Sequence, residues 1–144
     1  MIVVLDVETK KSFSELEKMD PKKLEVSLVG ILVKEKEKEN YHSFLENELE
    51  KLWPLLEKAN LIVGFNIIGF DYPVLSPYYS GDLFQLPTLD ILDEFKKQAG
   101  YRISLDKIAK STLGIQKIGD GLKAIDLFKK GKIEELKKYC LKDV

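Results

Sequence analysis

Apolar positions along the chain fall first into short continuous runs and later into helical spacing. Ile2–Leu5 is an unbroken apolar run with two valines, the pattern of a strand buried at the centre of a sheet. Lys10–Lys23 is polar, contains Pro21 and reads as a loop with one helical turn. Leu24–Val33 is apolar and β-rich, a second strand. The Lys/Glu run Lys34–Asn40 predicts a solvated turn, and Tyr41–Leu45 returns as a third strand to close a hairpin. Glu46–Lys58 places apolar residues at 49, 52, 55 and 56, a helical spacing that Pro54 should kink or break. Leu61–Phe65 and Leu86–Leu89 supply a fourth and a fifth strand. Beyond them the pattern is helical, with Gly100, Gly114 and Gly131 at C-cap places and Ser104 and Asp120 at N-cap places.

Three strands, a helix, two strands and then helices predict an α/β fold: a five-stranded mixed sheet with helices on both faces. The first strand should be central, flanked by the second and fourth. No repeat, low-complexity tract or linker divides the chain, so residues 1–144 read as a single domain. A domain of this length buries about 68–70% of the surface its unfolded chain exposes.

Composition narrows the class. Apolar residues make up 44% and charged residues 33%, which excludes a disordered chain. No apolar run has the length of a membrane span, and the first residues lack the features of a signal peptide. With a single cysteine, Cys140, the expectation is a cytoplasmic protein without disulfides. Lys plus Arg is 23 against 24 Asp plus Glu, a net charge of −1. That balance excludes nucleic-acid binding by blanket phosphate neutralisation, so any such contact must be local or bridged by metal. Arg102 is the only arginine, which leaves almost no bidentate readout of bases.

Three segments carry candidate chemistry. Asp6 and Glu8 end the first strand as Leu-Asp-Val-Glu-Thr, and residues two apart on a strand share a face. Paired carboxylates repel, and a divalent cation with a taste for hard oxygen, Mg²⁺ or Mn²⁺, relieves them. Asp71 follows the fourth strand in Asn-Ile-Ile-Gly-Phe-Asp-Tyr-Pro. An acid among apolar neighbours either caps a helix or serves a site. Tyr139 and Asp143 lie four apart near the C-terminus, a spacing that stacks both on one face of a helix. Singly, each has an ordinary structural explanation: solvated strand-end acids, a helix cap, a core aromatic.

Together they resemble the three motifs of the DEDD superfamily of 3′–5′ exonucleases, which have a ribonuclease H-like fold. Asp-x-Glu matches Asp6 and Glu8; Asn-x4-Asp with a preceding Phe matches Asn66, Phe70 and Asp71; Tyr-x3-Asp matches Tyr139 and Asp143 and marks the tyrosine subgroup. The Tyr-Cys-x-x-Asp wording is similar to the proofreading domains of family B DNA polymerases and to stand-alone exonuclease domains of bacteria and archaea. A histidine-subgroup site would need a histidine at Lys138, and the only histidine, His42, lies in the third strand.

The resemblance implies that Asp6, Glu8, Asp71 and Asp143 hold two divalent ions, Mg²⁺ or Mn²⁺, with Asp6 bridging. It implies hydrolysis of single-stranded DNA or RNA from 3′ ends, with Tyr139 orienting the attacking water and with a protein partner or fused domain in some relatives. Thr9 matches a position near the terminal nucleotide, Phe70 and Tyr72 are candidates to stack on a base, and Asp90 is either a helix cap or a support behind the ligands. Lysines 129, 130, 132, 137 and 138 either guide a strand or form a solvated face. Because Asp143 is followed only by Val144, the ion between Asp143 and Glu8 is expected to be the weaker one. The competing reading is a non-catalytic ribonuclease H-like module that binds nucleic acid or protein.

Overall fold

The computed structural model describes residues 1–99 and 121–144. Gly100, Arg102, Ser104, Gly114 and Asp120 lie outside the described residues. Five strands form one sheet: β1 (Ile2–Thr9), β2 (Val26–Glu35), β3 (Lys38–Leu45), β4 (Leu61–Gly64) and β5 (Thr88–Asp90). Their order is β3-β2-β1-β4-β5. The β1 strand runs antiparallel to β2 and parallel to β4, so the sheet is mixed with β1 at its centre. The α-helices among the described residues are α1 (Trp53–Lys58), α2 (Tyr72–Leu75), α3 (Ile91–Ala99), α4 (Gly121–Lys129) and α5 (Ile133–Lys142). Among the described residues no helix is long and apolar enough to cross a membrane.

Strand alternation divides the core in two. Val3, Leu5 and Val7 of β1 join Val29, Ile31 and Val33 of β2 on one face, packed by Leu56 of α1 and by Tyr72, Val74 and Leu75 of α2. On the opposite face Leu28 meets Ala124 and Leu127 of α4 and Leu136, Tyr139 and Cys140 of α5. Fully burying one such aliphatic side chain contributes about 1.5–3 kcal/mol. Asp6 and Glu8 stand on the α5 face, because their neighbours Leu5 and Val7 are committed to the other.

The structure departs from the sequence reading at element ends. The charged run Lys34–Asn40 is mostly strand: β2 continues to Glu35, β3 begins at Lys38, and Lys34 pairs in register with Glu39. The ladder is made by backbone groups, so these side chains stand in water, with Lys34 Nζ 3.7 Å from Glu39. The turn is tight, and Lys36 adopts φ 56°. Glu46–Lys58 divides into a 3₁₀ segment (Glu46–Lys51) and α1, with Pro54 in the first turn of α1, where its missing N–H costs nothing. The Lys10–Lys23 loop holds two 3₁₀ turns rather than one. Gly131, at φ 72°, ends α4: its N–H donates to Phe128 O and the Lys132 N–H to Leu127 O, the paired bonds of a glycine C-cap.

Candidate active site

The β1 and β4 strands are parallel and pair over Ile2–Val4, so both deliver the chain to the same end of the sheet. Ligands gather at such strand ends in α/β sheets. After β4 the chain folds tightly back on itself. A Cβ on Gly64 would lie 2.9 Å from Ile67 atoms. Asn66 occupies the left-handed region (φ 56°, ψ 31°), and Ile67–Asp71 forms a π-helical turn. Asp71 emerges from it 3% exposed, with Oδ1 accepting the Val7 N–H at 2.9 Å. The β1–β4 pairing has already ended at that level, so Asp71 takes the place of a strand partner. Its carboxylate does not cap α2 and is bonded to the β1 backbone instead.

The third segment arrives on α5. Gly30 of β2 is paired in register with Asp6. A Cβ there would sit 2.8 Å from Cys140 Sγ and 3.3 Å from Leu141 Cδ2. Only glycine lets α5 lie this close to the sheet. Cys140 Sγ is consequently 3.7 Å from both the carbonyl oxygen and Oδ2 of Asp6. One ligand atom each of Asp6, Glu8 and Cys140 lie within 4.8 Å of one another. Asp143 caps the end of α5, its N–H donating to Cys140 O at 3.0 Å and its Oδ2 withdrawn from solvent.

Electrostatics report the same convergence. Burial, and then the charges of Asp6, Glu8 and Asp143, push the Cys140 thiol well above its ordinary pKa. It therefore stays protonated at neutral pH, a structural thiol. Burial, and then the neighbouring Asp6, push the Asp71 carboxyl well above its ordinary value, only partly offset by the amides of Val7 and of Asp71 itself. Asp6 thus acts electrostatically on both Asp71 and the Cys140 thiol. The carboxylates of Asp6 and Glu8 in this cluster are hard oxygen donors of the kind that suits Mg²⁺ or Mn²⁺.

The remaining expected residues divide. Asn66 lies at the start of the loop that carries Asp71, its Oδ1 folded over Gly69. Phe70 is half-buried, edge-on to Phe13 at 6.2 Å. Thr9 is buried and donates its hydroxyl to Lys11 O at 2.8 Å. Tyr139 is 3% exposed within the α5-side core. Tyr72 is not available to stack on a base: it is fully buried, bonded to Thr88 Oγ1 at 2.6 Å and packed edge-on against Phe84. The solvated reading suits several lysines: Lys129 pairs with Glu15, Lys130 with Asp126 and Lys137 with Glu134. His42 is exposed on β3, stacked on Phe44. Gly30, which lets α5 approach the sheet, is a position that sequence reasoning missed; a glycine inside an apolar strand was the available signal.

A family model of the RNase_H superfamily matches residues 4–144. Among solved structures, the chain is similar to the family B DNA polymerase from the hyperthermophilic archaeon Pyrobaculum calidifontis, with a TM-score of 0.67 and 19% identity. That likeness covers 99% of this chain and 23% of the polymerase chain. No curated protein matches at a significant level. With its five-stranded mixed sheet and a family match over almost every residue, the chain belongs to the RNase_H superfamily.

Proposed function

We propose that the chain is a metal-dependent 3′–5′ exonuclease acting on single-stranded DNA or RNA ends. The observation that supports the reading is the cluster of Asp6, Glu8 and Cys140 at the carboxyl end of the central strand, with Asp71 bonded to the Val7 amide of the same strand end. Superfamily membership supports a nuclease-type activity, and the motif resemblance supports its direction.

Asp6, Glu8, Asp71 and Asp143 would hold two divalent ions, Mg²⁺ or Mn²⁺. When bound, such ions activate water and stabilise the leaving 3′ oxygen in an in-line displacement. The protein's own part is positional. The Val7 amide fixes Asp71, the Gly30 gap seats α5, and α5 places Tyr139 one turn before Asp143. The Tyr139 hydroxyl orients the attacking water; as a phenol it is a poor base at neutral pH. Water adds its oxygen to phosphorus as the P–O3′ bond breaks, releasing a nucleoside 5′-monophosphate and leaving a new 3′ hydroxyl. Asn66 and Phe70 border the path of the terminal nucleotide, and Thr9 supports the strand end beneath it. A fused domain or partner would present the substrate strand.

The test is digestion of 3′- and 5′-labelled DNA and RNA oligonucleotides with Mg²⁺ or Mn²⁺, alongside a circular strand. Stepwise shortening from the 3′ end, absent in Asp6→Ala, is expected. Cleavage of the circle, or no hydrolysis by the wild type, would overturn the proposal.

A further inference from the structure

The last residue of β5, Asp90, is 6% exposed and lies in register with Gly64 at the end of β4. Its carboxylate accepts four backbone amides. Oδ1 takes the N–H groups of Asn66 at 2.8 Å, Leu92 at 3.0 Å and Asp93 at 3.4 Å. Oδ2 takes that of Ile68 at 3.1 Å. Two of these amides open α3, an ordinary N-cap. The other two belong to the turn that ends in Asp71.

We propose that Asp90 is a positioning residue for the active site, holding the Asn66–Asp71 turn so that Asp71 faces Asp6; this rests on the metal-site reading above. The turn needs such a hold. It begins with a non-glycine residue in the left-handed region and continues as a π-helical turn, and backbone of this kind persists only where its surroundings fix it. Asp90 grips the turn at its start, and the Val7 amide grips it at its end through Asp71. Both oxygens of Asp90 are engaged by amides, so Asp90 acts through Asp71 and is not a further ligand. A carboxylate that orients a ligand from behind typically governs about 10- to 100-fold in metal affinity or activity.

Asp90→Ser separates the two duties. Serine is a good N-cap, but its single, shorter oxygen does not span to Asn66 and Ile68. In the full chain, Mn²⁺ affinity by titration calorimetry and kcat on a single-stranded oligonucleotide should each fall about 10- to 100-fold, with KM unchanged. Hydrogen exchange should quicken at the amides of Asn66 and Ile68 but not across the sheet. Asp90→Asn keeps the bonds to Oδ1 and loses the one to Oδ2, so it should fall between serine and wild type, and it serves as the readable variant if the serine protein does not fold. Wild-type affinity and kcat in both variants would overturn the role of Asp90 alone. A wild type that binds no more Mn²⁺ than Asp71→Asn would overturn the site and this inference with it.

Discussion

Asp71 and Asp90 are both almost wholly buried, 3% and 6% exposed, at neighbouring strand ends of one sheet. Asp90 spreads its charge over four amide donors drawn from a loop and a helix start. Asp71 receives one amide from β1 and faces Asp6, and its carboxyl is pushed well up by burial and by that neighbour. Burial alone therefore does not mark a site. A buried carboxylate surrounded by N–H groups is a fastener; one set beside another carboxylate is a candidate cation ligand. The contrast follows from chain geometry. Asp90 sits where amides converge at a loop and an N-terminus, whereas Asp71 is delivered across the sheet to a strand already carrying acids.

The sharpest way to break the comparison is to remove each charge. Asp6→Ala and Asp71→Asn should abolish hydrolysis and metal binding while leaving the fold intact, since like-charge repulsion is relieved. Asp90→Ala should instead destabilise the fold, by about 1–3 kcal/mol for the amides left unsatisfied. Calorimetric titration with Mn²⁺ and denaturant melts check both; equal Mn²⁺ affinity in wild type and Asp6→Ala would sink the assignment. Next in size, Tyr139→Phe should slow hydrolysis roughly 100-fold with Mn²⁺ affinity retained, because only the hydroxyl is lost. Gly30→Ala should cost about 1–3 kcal/mol by overpacking and lower activity by pushing α5 off β1. Adding Cys140→Ala makes room for the new methyl, and the double variant should recover much of the loss, a coupling that a double-mutant cycle reads directly.

The smallest expected effect is a pH slope. The folded-state pKa of Asp71 is raised above its ordinary 3.8. Its contribution to stability is therefore full below that value and is lost as pH rises through the folded pKa. Metal-free protein should lose Tm as pH rises above about 4 more steeply than Asp71→Asn does. Saturating Mn²⁺ should flatten the difference, because the ion stabilises the ionised form. Parallel slopes in wild type and Asp71→Asn would show that the two buried aspartates are alike after all.

Much of this was legible in the residues. The run Ile2–Leu5 announced a central strand because a strand covered on both faces leaves little room for polar residues. The Asp6, Glu8, Asp71, Tyr139 and Asp143 spacings pointed to the proposed site because each motif falls near the end of an element. What was not legible depends on register. The partner of Asp6 across the sheet is Gly30, and no periodicity states which residues of two strands pair. The hairpin outran its predicted ends because charged side chains do not interrupt a ladder made of backbone. Tyr72 and Phe70 are equally aromatic and two residues apart, yet the π-helical turn sends one into the core and leaves the other half-buried. Asp90 could be read as a cap from its place before a helix, but the second pair of amides comes from a loop 22 and 24 residues away.

The sheet ends on its two sides in different ways. The β3 edge carries Lys38, Glu39 and His42 on a ribbon exposed from Lys38 to His42, and charged side chains on an edge discourage another strand from adding to it. The β5 edge is only three residues long, too short to template a partner. Each border resists intermolecular strand addition by its own device. Among the described residues, both borders of the sheet therefore discourage it from growing by strand addition when copies of the chain are concentrated.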